Sequence, residues 1–241
     1  MQHLAENLET VLFDYGNTLI EFGPEQVDRC DRALSAALNE MFGPHDYARL
    51  TDIMHEERRA PYQGEFIEND FDHRTRYLVQ ELLGESLSDE QLEHLLEVRF
   101  EVMTGAIEAH PEVAEILEKL SGRFRLGLIS NYPCARAIRH SVEQTGLANW
   151  FEVVVVSADV GRVKPHPLVF ETALQKMEAA TESTLYIGDN WLGDIQGAKR
   201  LGMKAVWTQQ FVPYEKFERE PDHHPADAEI THLSELLVLC E

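Results

Sequence analysis

The chain has 241 residues, 44% of them apolar and 27% charged, which suits one large domain or a core with an insert and does not suggest disorder. Acidic residues outnumber basic ones 43 to 21, for a formal net charge of −22. That balance excludes a general nucleic-acid binder, because counterion release needs clusters of Lys and Arg, and it argues against docking on anionic membranes. The three cysteines, Cys30, Cys134 and Cys240, are far apart and form no CxxC pair. Neither a disulfide framework nor a zinc site is expected, and a reducing cytoplasm fits best. The first nine residues carry no basic n-region and no apolar h-region. Apolar runs such as Val153–Val156 are too short to span a bilayer.

A short β-branched run at Thr10–Phe13 predicts the first strand. From Glu21 to Ala109 no strand is convincing, and the segment reads as an all-helical insert of about four helices. One apolar stripe joins Leu34, Leu38 and Met41, a second Tyr77, Leu78, Leu82 and Leu83, and a third Leu92, Leu95, Leu96 and Val98. Pro111 opens a helix that places Val113, Ile116, Leu117 and Leu120 on one face. Strands follow at Arg125–Ile129, Glu152–Val156, Thr184–Ile187 and Lys204–Trp207, with a short one near Glu229–Ile230. Helices near Ala135–Thr145, Leu168–Met177 and Asp194–Leu201 alternate with them. The alternation implies right-handed βαβ units. The fold class is therefore α/β, a Rossmann-like parallel-sheet core with helices on both faces plus an all-helical cap domain. The expected core holds residues 1–20 and 110–241, and the expected cap residues 21–109.

Ligands of open α/β sheets sit outside the carboxyl ends of the strands. Asp14-Tyr15-Gly16-Asn17-Thr18 follows the first strand and Ser130-Asn131 follows the second. Lys164-Pro165 follows the loop after the third, and Gly188-Asp189, with Asp194 five residues beyond Asp189, follows the fourth. A carboxylate, a hydroxyl, an ammonium and a carboxylate pair thus converge on one edge. Such a set suits phosphoryl transfer. A carboxylate accepts the phosphoryl group, a hard cation on oxygen ligands neutralises charge, and a hydroxyl with a lysine holds the phosphoryl oxygens.

These four motifs, in this order and each after an expected strand, resemble those of the haloacid dehalogenase (HAD) superfamily, and the likeness covers nearly the whole chain. The resemblance implies that Asp14 is the nucleophile and a Mg2+ ligand. It adds the Gly16 carbonyl and Asp189 to the ligand set, with Asp194 binding the metal or its waters. It assigns Ser130 and Lys164 to the phosphoryl group, and Asn131 and Thr18 to the phosphate pocket or its loop. It implies a hydrolase acting on a small phosphorylated metabolite through an aspartyl-phosphate, as a monomer or homodimer.

The pattern departs at Gly16, where phosphatases of the superfamily usually carry a second Asp that protonates the leaving group. Glycine keeps the carbonyl but loses general acid–base help worth roughly 10²–10⁴-fold. A phosphonatase needs a cap lysine, and no lysine precedes Lys119. A metal-independent 2-haloacid dehalogenase also lacks the second Asp, but does not keep the acidic pair of the fourth motif. A phosphohydrolase whose leaving group needs little protonation, such as an acyl or aryl phosphate, fits better. A catalytically impaired paralogue that binds a phospho-ligand or a partner is a further alternative.

Other residues have plainer readings. Ser130-Asn131 also suits a helix cap, and Asp194 an acid at a helix N-terminus. His166 reads as a turn residue and Cys134 as a packed thiol at a helix start. His223, His224 and His232 lack metal-ligand spacing and fall on a C-terminal loop. Arg58, Arg59, Arg74 and Arg76 read mostly as solvated helix residues, one or two of which reach an anionic substrate. Residues 21–109 hold 21 acidic against 8 basic residues, a net of −13. That count favours a leaving group that is neutral, apolar or cationic over a polyphosphorylated one.

Overall fold

The computed structural model describes residues 4–108, 110–211 and 223–241. Residue 109, the last of the expected insert, lies outside them, as do residues 1–3 and 212–222 of the expected core.

The elements run in the order β1 (Thr10–Phe13), α1 (Pro24–Phe42), α2 (Tyr47–Arg59), α3 (Phe71–Leu83), α4 (Asp89–Gly105), α5 (Pro111–Ser121), β2 (Arg125–Ser130) and α6 (Ala135–Gln144). They continue with β3 (Val153–Val156), α7 (Ser157–Val160), α8 (Pro167–Lys176), β4 (Thr184–Gly188), α9 (Gly197–Arg200), β5 (Lys204–Thr208), β6 (Ala228–Ile230) and α10 (Glu235–Leu239). The six strands form one sheet in the order β3-β2-β1-β4-β5-β6. Every pairing is parallel. The strand order runs outward in both directions from the β1–β4 pair, so the crevice at their carboxyl ends is the topological switch point.

The strand period of two splits the core between the sheet's faces. Val11, Phe13, Leu128 and Ile187 join α5 and α6 in one buried cluster. Leu12, Ile129, Tyr186 and Ala205 join α8 in another. Gly127 is required by this packing, because a Cβ there would lie 2.7 Å from both Leu12 and the Met177 sulfur.

Helices α1–α4 build a third cluster around Leu34, Leu38, Leu50, Ile53, Leu78 and Leu95. Their starts are written in the sequence. Asp46 accepts from the amides of Ala48 and Arg49, Asp70 from that of His73, and Ser88 with Gln91 forms a capping box. Tyr77 departs from its expected stripe. It is exposed, and α3 turns Thr75, Leu78 and Val79 inward instead.

Two other expectations shift. Glu152 lies outside β3, and its carboxylate reaches across to Arg125 at 2.6 Å. The expected helix Asp194–Leu201 begins earlier, with a wide π turn over Trp191–Gln196 before α9. Asn190 causes this start, because its side chain accepts from the Gly193 amide at 2.7 Å.

The helices are tied to the sheet away from the chain crossings. Val163 N donates to Phe66 O at 2.9 Å and Glu68 N to Gly161 O at 3.2 Å. An antiparallel bridge joins Ile67 to Arg162. The Glu68 carboxylate anchors this strip, accepting from Arg74 Nη2 at 2.7 Å and from Ser157 Oγ at 2.5 Å. Its side chain is 2% exposed and that of Arg74 10%. Burial pushes the Glu68 carboxyl up, and the bonds from Ser157 and Arg74 pull it back. Removing one partner of such a pair strands the other charge. Glu68→Ala is therefore expected to lower stability by about 3–5 kcal/mol in urea unfolding. A loss below about 1 kcal/mol would mean that water already satisfies Arg74.

Candidate active site

Parallel pairing brings the carboxyl ends of β1, β2 and β4 side by side, with Phe13 opposite both Leu128 and Ile187. Asp14 leaves β1 with its amide held by Ile187 O at 2.8 Å. Ser130 ends β2, and Asp189 directly follows β4.

Lys164 occupies the centre. Its Nζ donates to Asp14 Oδ1 at 2.5 Å, Tyr186 OH at 3.0 Å and Ile129 O at 3.2 Å. It also lies 2.6 Å from Asp194 Oδ1. Burial alone would lower the Lys164 pKa, but Asp14 and Asp194 outweigh it and hold the ammonium well above its usual value. The Tyr186 hydroxyl passes the chain on to Asp194 Oδ1 at 3.2 Å. The other Asp194 oxygen accepts from the Asn190 amide at 2.9 Å. A Cβ on Gly188 would fall 2.4 Å from that same oxygen, so glycine is required there for Asp194 to approach.

The carboxylates of Asp14, Asp189 and Asp194 lie close enough for one ligand oxygen from each to fall within 4.8 Å of the others. Asp14 is pushed up to about 6 by burial, against the pull of Lys164. Asp189 is pushed up to about 9 by burial and by the charges of Asp14 and Asp194. Of the described ion pairs, Lys164 takes part in two, with Asp14 and Asp194, while none involves Asp189. Three acids around one ammonium leave excess negative charge on an all-oxygen donor set, which matches a hard divalent cation such as Mg2+.

The remaining expected residues are placed as follows. Thr18 Oγ1 donates to Asp14 Oδ2 at 3.2 Å, so it holds the carboxylate. Asn131 binds the Lys164 backbone twice, accepting from its amide at 2.8 Å and donating to its carbonyl at 3.1 Å. Ser130 and Asn131 do not cap α6, which starts after Cys134. Gly16 lines the cavity beside Asp14. A Cβ there would meet only Phe22, at 3.8 Å. His166 is the turn residue before α8, its Nδ1 accepting from Leu168 N at 3.2 Å. His223 accepts from Trp191 Nε1 at 2.9 Å, and His224 is clipped to Gln196 through its backbone.

Two side chains escaped the sequence reading. Tyr186 sits mid-strand, where an aromatic reads as core, yet its hydroxyl links Lys164 to Asp194. Tyr62, after α2, accepts from Asn131 Nδ2 at 3.2 Å and carries the helical layer to the sheet edge. A cavity of about 200 Å³ holds Asp14, Ser130, Lys164 and Asp189. Through Phe22, Tyr62, Asn131 and Tyr132 it adjoins a second cavity, of about 260 Å³, under the helices. Arg58 and Arg74 face that second cavity and are tied to Asp31 and Glu68, so neither is simply solvated. Among the described residues, no helix is long and apolar enough to cross a membrane.

Known proteins are similar to this chain in sequence and fold. The phosphoserine phosphatase of Thermus thermophilus is 35% identical over 99 residues, which is 41% of this chain and 40% of the relative. The chain thus aligns with well under half of that relative's length. The pyrophosphatase PpaX of Bacillus thuringiensis is 27% identical over 207 residues, 83% of this chain and 84% of the relative. Among solved structures, a 2-haloacid dehalogenase from Pseudomonas syringae pv. Tomato superposes with a TM-score of 0.73 at 27% identity, covering 96% of this chain and 97% of that one. The model of the haloacid dehalogenase-like hydrolase family matches residues 47–208. Since that match takes in more than half of the chain, the protein belongs to the haloacid dehalogenase-like hydrolase family.

Proposed function

We propose that this protein is a Mg2+-dependent phosphohydrolase acting on a small phosphorylated metabolite through an aspartyl-phosphate at Asp14. The observation that carries this reading is the cluster of Asp14, Asp189 and Asp194 around one buried lysine. In it, Asp14 and Asp189 would supply carboxylate ligands and Gly16 a carbonyl. Asp194 adds its charge while its oxygens hold Lys164 and the Asn190 amide. A cation held there would neutralise charge between the nucleophile and the phosphoryl oxygens. Residues 21–109 act as the cap over a core of residues 1–20 and 110–241.

An Asp14 oxygen attacks phosphorus, and the bond from phosphorus to the leaving oxygen breaks with its electron pair on that oxygen. Lys164 and the Ser130 hydroxyl hold the equatorial oxygens. Water then attacks phosphorus, the bond to Asp14 breaks, and the carboxylate returns with inorganic phosphate and a proton. Thr18 keeps Asp14 oriented through both steps. Gly16 offers no proton to the leaving group, so acyl and aryl phosphates are the favoured substrates.

A second reading is metal-independent dehalogenation, favoured by the likeness to the Pseudomonas dehalogenase structure. Asp189, a half-buried acid without a described ion pair beside two buried ones, argues for the metal-dependent reading.

Three measurements test the proposal. Asp14→Asn is expected to lower phosphate release from aryl phosphates by about 10³-fold or more. Activity that survives this change, or halide release from 2-haloacids in a chelator, rejects the reading. Magnesium at a hundredfold excess over its Kd is expected to stabilise the wild type by about 2.7 kcal/mol in thermal unfolding. Asp189→Asn is expected to lose that gain, and an equal gain in the variant would place the metal elsewhere. Finally, Gly16→Asp fits the open space at that position. It should raise cleavage of alkyl relative to aryl phosphates by up to about 10²-fold. An unchanged ratio would show that a missing acid is not what limits turnover.

A further inference from the structure

The second cavity is walled by apolar and aromatic side chains, among them Leu34, Met54, Phe71 and Tyr132. Three arginines reach it from different helices, and they are not equivalent. Arg58, from α2, is bonded to Asp31. Arg74, from α3, is bonded to Glu68 at 2.7 Å. Arg99, from α4, has no carboxylate within ion-pair distance among the described residues. Its Nη1 donates to Thr75 Oγ1 at 3.2 Å, and its guanidinium lies 4.0 Å from the centre of the Phe71 ring. The residue is 9% exposed. Burial pushes its pKa down to about 10.

A guanidinium carries five N–H donors, and one bond to a threonine leaves most of them without a protein partner, on the wall of a cavity that a ligand can enter. Buried charges are ordinarily paired, because an unpaired one forfeits its hydration without return. Of the cavity's acids, Asp31 and Glu68 are held by the other two arginines, and Glu57 stands beyond ion-pair reach of Arg99. The cavity adjoins the Asp14 cavity through Tyr62, Asn131 and Tyr132, on the side where a leaving group would lie.

We infer that Arg99 is the recognition site for a carboxylate on the leaving group, making the substrate a phosphate ester or anhydride of a small, largely apolar carboxylic acid. The inference rests on the phosphohydrolase reading for its reaction, but not for its binding site. The Phe71 ring stacks on the guanidinium and leaves its edge free for a two-pronged carboxylate bond. The count of −13 over residues 21–109 misjudges this cavity, because most of that excess lies on acids outside it, while the lining itself pairs three acids with three arginines, of which Arg99 alone has no ion pair among the described residues.

The test compares phenyl phosphate with 2-, 3- and 4-carboxyphenyl phosphate, which share an aryl leaving group and differ in the carboxylate. At least one isomer should exceed phenyl phosphate in kcat/KM by tenfold or more in the wild type. Arg99→Gln should bring that ratio near one, and Arg99→Lys should restore part of it. A ratio within one enzyme is independent of how much of the variant folds. Absence of a preference in the wild type, or a preference that persists in Arg99→Gln, overturns the inference. If no ester releases phosphate, turnover does not report on Arg99 and binding decides alone. The three hydroxybenzoates are then titrated by calorimetry. Binding by the wild type at least tenfold tighter than by Arg99→Gln upholds the carboxylate site, and equal or absent binding removes it.

Discussion

One buried ammonium holds the sheet edge together. Lys164 lies within 2.6 Å of carboxylates from two different motifs and touches the hydroxyl of a third element. Without it, Asp14 and Asp194 would be like charges in a space that water barely enters, and one would have to take up a proton. With it, Asp14 stays near the range in which a carboxylate is ionised at neutral pH, although burial pulls the other way. Structure around the lysine serves to fix it. Asn131 clamps its backbone on both sides, and Tyr186 stands between it and Asp194.

This arrangement explains why the motifs follow one another as they do. The site needs residues far apart in sequence to meet at one point, and a parallel sheet with its switch point at β1 and β4 supplies that meeting place. Glycines are spent where the backbone must come close, at Gly188 beneath Asp194 and at Gly127 against Leu12 and Met177. Gly16 is different, since the space beside it is open. Its lack of a side chain is a matter of chemistry, and it bears on which leaving groups depart unaided.

Much of this was legible in the sequence. The strand segments are short and largely apolar, Asp14 and Asp189 each directly follow one, Ser130 ends one, and Lys164 lies beyond α7 and the turn after β3. What was not legible depends on distance in the chain. Tyr186 reads as core because its ring is core, and only its hydroxyl reaches the lysine. The π turn hid behind a helical pattern, since Asn190 sets its start through a local cap that periodicity does not register. Arg99 sits among residues that look like any charged helix. Nothing in its neighbours along the chain tells that Arg58 and Arg74 find acids while it finds a threonine and a ring. Pairing of charges is a property of the folded cavity, and a count over 89 residues averages it away.

The strip formed by residues 66–68 against 161–163 has a mechanical consequence. The helices are joined to the sheet by the chain at both their ends, and this strip adds an attachment made of backbone hydrogen bonds beside those of Tyr62 to Asn131, Phe71 to Pro133 and Glu97 to Arg136. A layer held at two points swings like a gate, whereas one held at several more cannot turn without breaking a bond or dragging its anchor. The anchor here is the segment that leads directly into Lys164. Widening the mouth of the cavity therefore either frays that strip or pulls on the residue that neutralises Asp14. The strip and the lysine that neutralises Asp14 thus lie on one short stretch of chain, at the border between the helices and the nucleophile.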